Sequence, residues 1–422
     1  MSDKEIKNAE GSRKNSGSRV LIYSHDTMGL GHLRRCRAIA HALVERYNNL
    51  SVLILSGSPI IGSFDFRARV DFVRIPGVIK LRNGEYTALN LHIDLEKTLS
   101  MRSSIIKHTA LIFDPDVFIV DKEPLGLRGE VEETLEMLKE RGTHLVLGLR
   151  DVMDSPTLLV PEWKRKKVLP ALRRLYDSIW IYGLPQICEP MQDIALPKGV
   201  QKKVTYTGYL RRHVPKATVA TRLPEITQKP YILVTTGGGG DGEDLIEWVL
   251  RAYETDPLLP YPALFVLGPF MAPELQADFQ RRAAKLKRVQ AITFDTNMEV
   301  LEQGAAGIVA MGGYNTFCEV LSMDRRAIIV PRTAPRLEQY IRASRAQSLG
   351  LVQMLESDGG MDPQVMADAL RALPRQKRPS EIIVPGLLEG LENVNRLIQP
   401  LIEKPTRAET PVAGEDTFRR QA

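Results

Sequence analysis

The sequence predicts an α/β protein of two Rossmann-like domains, each a parallel sheet with helices on both faces. Three observations carry this. Short apolar runs alternate with amphipathic helical periodicity along most of the chain, the pattern of a doubly wound sheet. Two of these runs lead into a glycine-rich loop and then a helix: residues 19–24 before Gly29-Leu30-Gly31, and residues 231–236 before Gly237-Gly238-Gly239-Gly240. Between the halves, residues 211–229 contain Pro215 and Pro224, with Thr and Lys, and lose all periodicity, which marks a linker.

The 422 residues suffice for two or three domains, at about 150 residues each. The division expected is a disordered tail at 1–18, a first domain at 19–210, the linker at 211–229 and a second domain at 230–382. A C-terminal helix within 383–403 is expected to pack back on the first domain, and 404–422 to form a second disordered tail. Residues 1–18 are rich in Lys, Ser, Asn and Gly without an apolar centre, which is not the pattern of a signal peptide.

Hydrophobic residues make up 43% and charged residues 26%, the balance of a globular protein with a core. The net charge of +6 suits a partner bearing phosphates, or an acidic membrane surface, and is too small to indicate nucleic acid. Cys36, Cys188 and Cys318 are isolated, so neither a zinc site nor a disulfide framework is expected, in keeping with a reducing compartment. No apolar run approaches the roughly 20 residues of a membrane span, and a cytoplasmic location is expected.

In the first half, residues 19–24 read as a buried strand and His25-Asp26-Thr27-Met28-Gly29-Leu30-Gly31-His32 as the loop at its carboxyl end. Leu33, Cys36, Ala40, Leu43, Val44 and Tyr47 then recur at helical spacing, and residues 51–55 form the next strand. Open α/β sheets bind ligands at such a loop. A third glycine is missing, so the loop is not a dinucleotide fingerprint. His32 falls at a helix N-terminus, where the macrodipole disfavours its protonation and leaves a neutral imidazole fit to act as a base. It serves equally as a histidine that caps or packs the turn, and Asp26 is the other candidate base.

Further strands are expected at 72–75, 117–120, 144–149 and 178–182, with helical stretches such as 129–141 between them. Asp114-Pro115-Asp116 matches a DxD metal motif in form, but it precedes its strand and contains a proline, so it reads as a turn. Asp121, Lys122 and Glu123, and also Arg150 and Asp151, sit at carboxyl ends of strands, placed for a ligand or for solvent. Residues 163–176 read as one basic amphipathic helix. Its Lys164, Arg165, Lys166 and Lys167 suit either a solvated face or contact with anionic lipid on the inner face of a membrane.

In the second half, the strand 231–236 leads through the loop 237–242 to a helix at 244–253, and the next strand is 263–267. No carboxylate follows that strand for an NAD ribose, and no GK[ST] is present. What remains is a backbone cradle for one or two phosphates before a helix N-terminus, or a mobile glycine hinge. A strand at 290–294, a loop at 295–298 and a short helix through Leu301 follow. Residues 307–321 then read as a buried strand, the two-glycine turn Gly312-Gly313 and a helix on which Thr316 and Glu319 share a face. A carboxylate there can accept two hydrogen bonds from a vicinal diol such as a ribose, or be an ordinary surface Glu. After a strand at 327–331, a helix begins near Arg336. Gln339 on it can both donate to and accept from sugar hydroxyls, or be a plain surface residue.

Together these residues resemble the two-domain GT-B glycosyltransferases of the family-28 type over most of residues 19–375, and the uncharacterised glycosyltransferases related to them. The resemblance implies two Rossmann-like domains facing across a cleft. Gly29, Gly31, His32 and Arg35 fall in the family's acceptor-side loop. Thr207-Gly208 with Arg211 is similar to its interdomain segment. Gly237, Gly238, Gly239 and Gly240 match its diphosphate loop, and Phe294 and Met298 lie where it binds uracil. Gly312, Gly313, Thr316 and Glu319 match its donor signature with the Glu on the ribose, and Gln339 falls at the donor sugar. The activity implied is inverting transfer of a hexosyl unit, an N-acetylhexosamine, from a UDP-sugar to a glycan or lipid-linked acceptor in surface polysaccharide synthesis. No cofactor and no metal are implied.

Met28, Arg34 and Arg35 stand where that family has further glycines and a proline. Gly239-Gly240-Asp241 replaces a usual serine, and Glu338 precedes Gln339, so a different acceptor from that of peptidoglycan synthesis is expected. Gly29-Leu30-Gly31-His32-Leu33-Arg34-Arg35-Cys36 also resembles the loop of the nucleotide-sugar hydrolase of pseudaminic acid synthesis, in which the His activates water. UDP-GlcNAc 2-epimerases share the donor domain, and a non-catalytic UDP-sugar binding protein is a further alternative.

Overall fold

The computed structural model describes residues 17–26, 31–80, 85–192, 194–214, 223–238, 240–295, 298–357 and 360–403. In the first domain β1 (Ser18–Ser24), α1 (Gly31–Arg46), β2 (Leu50–Ser56) and β3 (Val70–Arg74) come first. The antiparallel pair β4 (Val78–Lys80) and β5 (Tyr86–Ala88) follows, then α2 (Leu95–Phe113) and β6 (Val117–Asp121). The domain continues with α3 (Glu132–Glu140), β7 (His144–Arg150), α4 (Pro156–Arg165), α5 (Val168–Arg174), β8 (Ser178–Tyr182), α6 (Lys198–Gln201) and β9 (Val204–Tyr206).

The second domain runs through β10 (Ile232–Thr235), α7 (Glu243–Thr255), β11 (Ala263–Val266), α8 (Pro273–Ala283), β12 (Val289–Ile292) and α9 (Met298–Gly304). It continues with β13 (Gly307–Ala310), α10 (Tyr314–Ser322), β14 (Ala327–Ile329), α11 (Glu338–Ser348), β15 (Gln353–Met354) and α12 (Pro363–Ala372), and α13 (Gly390–Ile402) closes the chain.

Continuous apolar runs become strands buried on both faces, as a parallel sheet covered by helices requires. Every residue of β6, β10, β11 and β13 is buried. The first sheet has the order β3-β2-β1-β6-β7-β8-β9 and the second β12-β11-β10-β13-β14-β15. All neighbours in both are parallel. Each chain half winds outward from its first strand and then returns to the other side. The winding reverses between β1 and β6, and again between β10 and β13. Loops leaving those strands diverge around a crevice, where open sheets take ligands. The register Thr235↔Ala310 brings the glycine loop after β10 and the Gly312-Gly313 turn after β13 to one edge.

Two elements differ from expectation. The basic stretch 163–176 is broken into α4 and α5 at Lys167, whose φ is +51°. Trp163 and Val168 are both buried. At five residues apart they cannot share a face of one straight helix, so the backbone turns between them. The 19-residue α2 carries a weak sequence signal because its buried positions are Thr98, Arg102, Ile106 and Ala110, two of them polar. Arg102 is held there by Glu130, with Nε–Oε2 and Nη2–Oε1 both at 2.6 Å.

The domains are joined by chemistry as well as by chain. Helix α13 lies on α1: Tyr47 donates to the Asn395 carbonyl at 2.8 Å and Ser18 Oγ to the Ile402 carbonyl at 2.7 Å. The Tyr209 ring sits 5.1 Å from Phe317 and 6.0 Å from Tyr314, making one apolar cluster run through both domains. Beside it, Asp151 at the end of β7 accepts from Tyr209 Oη at 2.7 Å and from Arg342 Nε and Nη2 at 2.7 and 2.6 Å. Arg342 Nη1 also donates to the Gly312 carbonyl at 2.9 Å.

Asp151→Ala would strand the Arg342 charge in this junction. The expected loss is about 3–5 kcal/mol in urea denaturation, with much of it restored in the Asp151→Ala/Arg342→Met double variant. A loss below about 1 kcal/mol for the single change, the range of an exposed pair, would show that the junction does not depend on it.

Candidate active site

On the first-domain side the site grows from the switch point between β1 and β6. His32 is the second residue of α1, and its Nδ1 lies 2.5 Å from Oδ2 of Asp121, the last residue of β6. Arg35, one helical turn on, grips the same carboxylate, with Nε–Oδ1 and Nη2–Oδ2 both at 2.8 Å. Burial raises the Asp121 carboxyl, but the Arg35 guanidinium and then His32 outweigh it, and the group is held well below the usual carboxylate range. Burial takes His32 down to about 4 against the pull of Asp121. An ionised Asp121 can only accept, so His32 Nδ1 carries the proton and Nε2 keeps its lone pair. His25 packs edge-on against His32 at 5.7 Å and is kept neutral by burial and by Lys122.

Two expectations on this side are corrected. Asp26 is turned into the scaffold. Its Oδ2 accepts from Ser56 Oγ at 2.6 Å and its Oδ1 from the Leu33 N–H at 3.2 Å, and burial lifts its carboxyl to about 6. Arg35, expected beside the acceptor, is 2% exposed and spent on Asp121. Gly29 lies outside the described residues, with Thr27, Met28 and Leu30. A cavity of about 630 Å³ opens next to His25, with Leu125, Leu127, Val168 and Ala171 in its wall and Arg128 and Lys167 among its cations.

On the second-domain side the glycine loop shows an open face. Gly237 has φ +70°, and among the described residues neither it nor Gly313 has an atom within 4 Å of where a Cβ would stand. The Gly238 carbonyl accepts from the Phe270 N–H at 3.0 Å, and a Cβ on Gly240 would meet the Phe270 side chain at 3.9 Å. Gly239 lies outside the described residues. Gly312 has φ +82° and a Cβ there would come 2.6 Å from Ile329, so only glycine fits. Thr316 is half-buried on the first turn of α10. Phe294 is 42% exposed at a polar cavity of about 610 Å³ that it shares with Gln290 and Asp295, and Met298 opens α9 against the core.

Glu319 departs from the open carboxylate expected at a ribose. It is 2% exposed, and its Oε1 lies 2.6 Å from Arg34 Nη2 of the first domain, which also donates to Glu299 at 2.8 Å. The Glu319 contact is an ion pair without hydrogen-bond alignment, since that oxygen is buried with no donor in line among the described residues. Burial and then the Glu319 charge push the Glu302 carboxyl far up, so Glu302 holds a proton beside them. Gln339 is buried too, its Oε1 accepting from the Arg332 N–H at 3.2 Å.

The two halves meet. Asn315 Nδ2 donates to the Gly31 carbonyl at 3.0 Å, tying the start of α1 to the first turn of α10. Arg212 Nη2 donates to Asn315 Oδ1 at 2.8 Å and its N–H to Ser322 Oγ at 2.9 Å. The interdomain arginine is therefore Arg212, not the exposed Arg211 of the resemblance. Arg150 of the first domain reaches Glu338 at 2.6 Å, and burial notwithstanding, Arg150 and then Arg342 hold that carboxyl down at about 2. Lys164, Arg165, Lys166 and Lys167 are exposed, with Lys166 paired to Glu162 and Glu123 at 2.6 and 2.8 Å. Among the described residues no helix is long and apolar enough to cross a membrane.

Asp121 was visible in sequence only as one of several strand-end charges. Its adjacency to His32 follows from the strand order, which places β6 beside β1.

No protein-family model matches the chain and no curated protein matches it. Solved structures do. Acinetobacter baumannii MurG is similar at 14% identity, covering 91% of this chain and 99% of its own, with a TM-score of 0.57. A UDP-glucosyltransferase from Polygonum tinctorium capable of glucosylating indoxyl is similar at 13% identity, covering 92% and 99%, with a TM-score of 0.59. The UDP-GlcNAc 2-epimerase from Methanocaldococcus jannaschii is similar at 11% identity, covering 91% and 99%, with a TM-score of 0.56. The chain thus has the GT-B fold, two Rossmann-like parallel-sheet domains facing across a cleft, and it resembles the GT-B glycosyltransferases, MurG among them.

Proposed function

We propose that the protein is an inverting, metal-independent glycosyltransferase that moves a hexosyl unit, an N-acetylhexosamine, from a UDP-sugar to a glycan or lipid-linked acceptor in surface polysaccharide synthesis. The observation that carries this is the His32–Asp121 dyad, joined through the Gly31–Asn315 bond to the helix that follows Gly312-Gly313. His32, whose Nε2 has no hydrogen-bond partner among the described residues, follows Gly31, and the Gly31 carbonyl is bonded to Asn315 just past the Gly312-Gly313 turn. His32 takes the acceptor hydroxyl proton, the acceptor oxygen bonds to the anomeric carbon, and the diphosphate leaves with the electron pair. Asp121 holds the tautomer and meets the imidazolium that forms. The loop at 237–240 and the first turns of α7 and α10 offer N–H groups to the diphosphate. Glu319 takes the ribose diol as Arg34 falls back on Glu299, and Gln339, Phe294 and Met298 lie toward the sugar and the base.

The cavity beside His25 suits the acceptor. Its apolar wall and cationic rim fit a lipid or aglycone bearing an anionic group. Leu158 and Val160 are exposed on α4, just before Lys164 and Arg165. These exposed residues are the ones proposed to meet an anionic bilayer. Flotation with phosphatidylglycerol vesicles is expected for the wild type and not for Lys164→Glu/Arg165→Glu, and equal flotation of both would remove the assignment.

UDP release from a UDP-sugar is the direct test. Release that depends on an added glycan or lipid-linked acceptor is expected. Rapid release without one makes water the attacking group and the protein a hydrolase. His32→Ala and Asp121→Asn are each expected to lower turnover about 10²–10⁴-fold, the worth of a positioned general base, with UDP affinity kept. Because burial sets His32 near 4, the base is unprotonated above that pH. Activity should fall only as pH drops through about 4. A limb near the ordinary histidine value of roughly 6.5 would place the base elsewhere.

Glu319→Gln is expected to weaken UDP by about 1.5–3 kcal/mol in calorimetry, the range for a hydrogen bond to a charged group. Unchanged affinity would leave Glu319 as an interdomain contact alone.

A further inference from the structure

The glycine loop carries more negative charge than a diphosphate site can tolerate unaided. Asp241 stands in it, and Glu243 and Asp244 open α7 directly after, all three exposed. The helix N-terminus offers only about half a positive charge, and those side chains already draw on it. A diphosphate seated there needs a cation.

A cation reaches the loop. Arg332 follows β14, the strand next to β13, at the same carboxyl edge as the glycine turns. Its Nη1 donates to Asp241 Oδ2, its Nη2 lies 3.4 Å from Glu338 Oε1, and its Nε is buried with no acceptor among the described residues. The Arg332 N–H is pinned by Gln339 Oε1, so the backbone carrying the guanidinium is fixed. Asp241 is 44% exposed, so water replaces the guanidinium at little cost to it.

We infer that Arg332 is a catalytic residue that binds the leaving diphosphate, taking it in exchange for Asp241. This rests on the nucleotide-sugar reading above. As the anomeric C–O bond breaks, its electron pair passes to the terminal phosphate oxygen, and the guanidinium meets that charge in bidentate fashion. The acceptor proton goes to His32 Nε2. Asp241 is the stand-in anion that keeps the arginine beside the loop.

The test is calorimetric titration of wild type, Arg332→Ala, Arg332→Lys and Asp241→Asn with UDP and with uridine, followed by turnover at saturating UDP-sugar. Arg332→Ala is expected to weaken UDP at least about 10-fold, the low end for a charged hydrogen bond, while uridine binding is unchanged. Arg332→Lys recovers part of the loss. Asp241→Asn binds UDP more tightly than wild type, and the gain shrinks in the Asp241→Asn/Arg332→Ala double variant, as a gain from removing the Asp241 charge alone would not. Turnover of Arg332→Ala should fall about 10²–10³-fold, as when one preorganised donor is removed. If wild type binds UDP and Arg332→Ala keeps the same UDP-to-uridine ratio, the inference falls and the nucleotide-sugar reading stands. If wild type binds neither UDP nor uridine, both fall.

Discussion

The Asp151–Arg342 pair is the constraint on which the arrangement of the site depends. It is buried at both ends and spans the two domains. Asp151 directly follows β7 of the first sheet, while Arg342 rises from α11 of the second domain and holds the Gly312 carbonyl. A buried pair of this kind contributes little net stability over an apolar substitute, because desolvating both charges offsets most of their attraction. What it supplies is geometry. Two bonds from a planar guanidinium fix direction as well as distance, so the Gly312-Gly313 turn is held in register with the carboxyl edge of the first sheet. Tyr209 completes the joint, its hydroxyl on Asp151 and its ring against Phe317.

Around that joint the charges are arranged so that one imidazole stays neutral. Arg35 neutralises Asp121 before His32 can, with two bonds to the carboxylate against one from the ring. The histidine is oriented by a carboxylate whose charge is already met, and burial then depresses its proton affinity. Had Arg35 faced the cleft, Asp121 would have pulled His32 toward the imidazolium, which is useless as a base at neutral pH. The residue that looked like an acceptor contact therefore acts on the base from behind.

The parallel sheets were legible because their strands are buried on both faces, and continuous apolar runs such as Val117-Phe118-Ile119-Val120 have few other uses. The glycine turns were legible in part because Gly237 and Gly312 take positive φ, +70° and +82°, which other residues rarely adopt. Helix α2 was not, since Arg102 and Thr98 occupy its inner stripe: Thr98 bonds the Asp94 carbonyl one turn back, but Arg102 is satisfied by Glu130, which no local pattern reveals. Lys167 broke an apparently continuous helix for a similar reason, because the demand to bury both Trp163 and Val168 comes from the sheet beneath. At the site, types were readable and partners were not. His32 and Glu319 stood out as chemistry, but Asp121 and Arg34 became their neighbours only through strand order and domain docking. Arg212 took the interdomain role expected of Arg211 because side chains of successive residues in an extended segment point to opposite faces.

The remaining interdomain pairs differ from the joint in one respect that bears on ligand binding. Arg34, Arg150 and Arg336 keep 22%, 15% and 33% of their side chains in water, whereas Arg342 keeps 1%. Their partners are Glu319, Glu338 and Asp154, two of them on the helices that frame the donor side. An arginine with water on one side can leave its carboxylate at modest cost to itself, but these carboxylates are buried, so release needs a ligand group that takes the arginine's place. A diol at Glu319 thus competes with a bond that holds the domains together, while the Asp151–Arg342 joint stays made. Ligand occupancy and domain docking then draw on the same groups. Linkage makes that reciprocal: whatever the ligand does to the docking equilibrium, docking does to ligand affinity. A cleft closed by exchangeable ion pairs around one fixed joint can open at its mouth without losing the register of its catalytic edge.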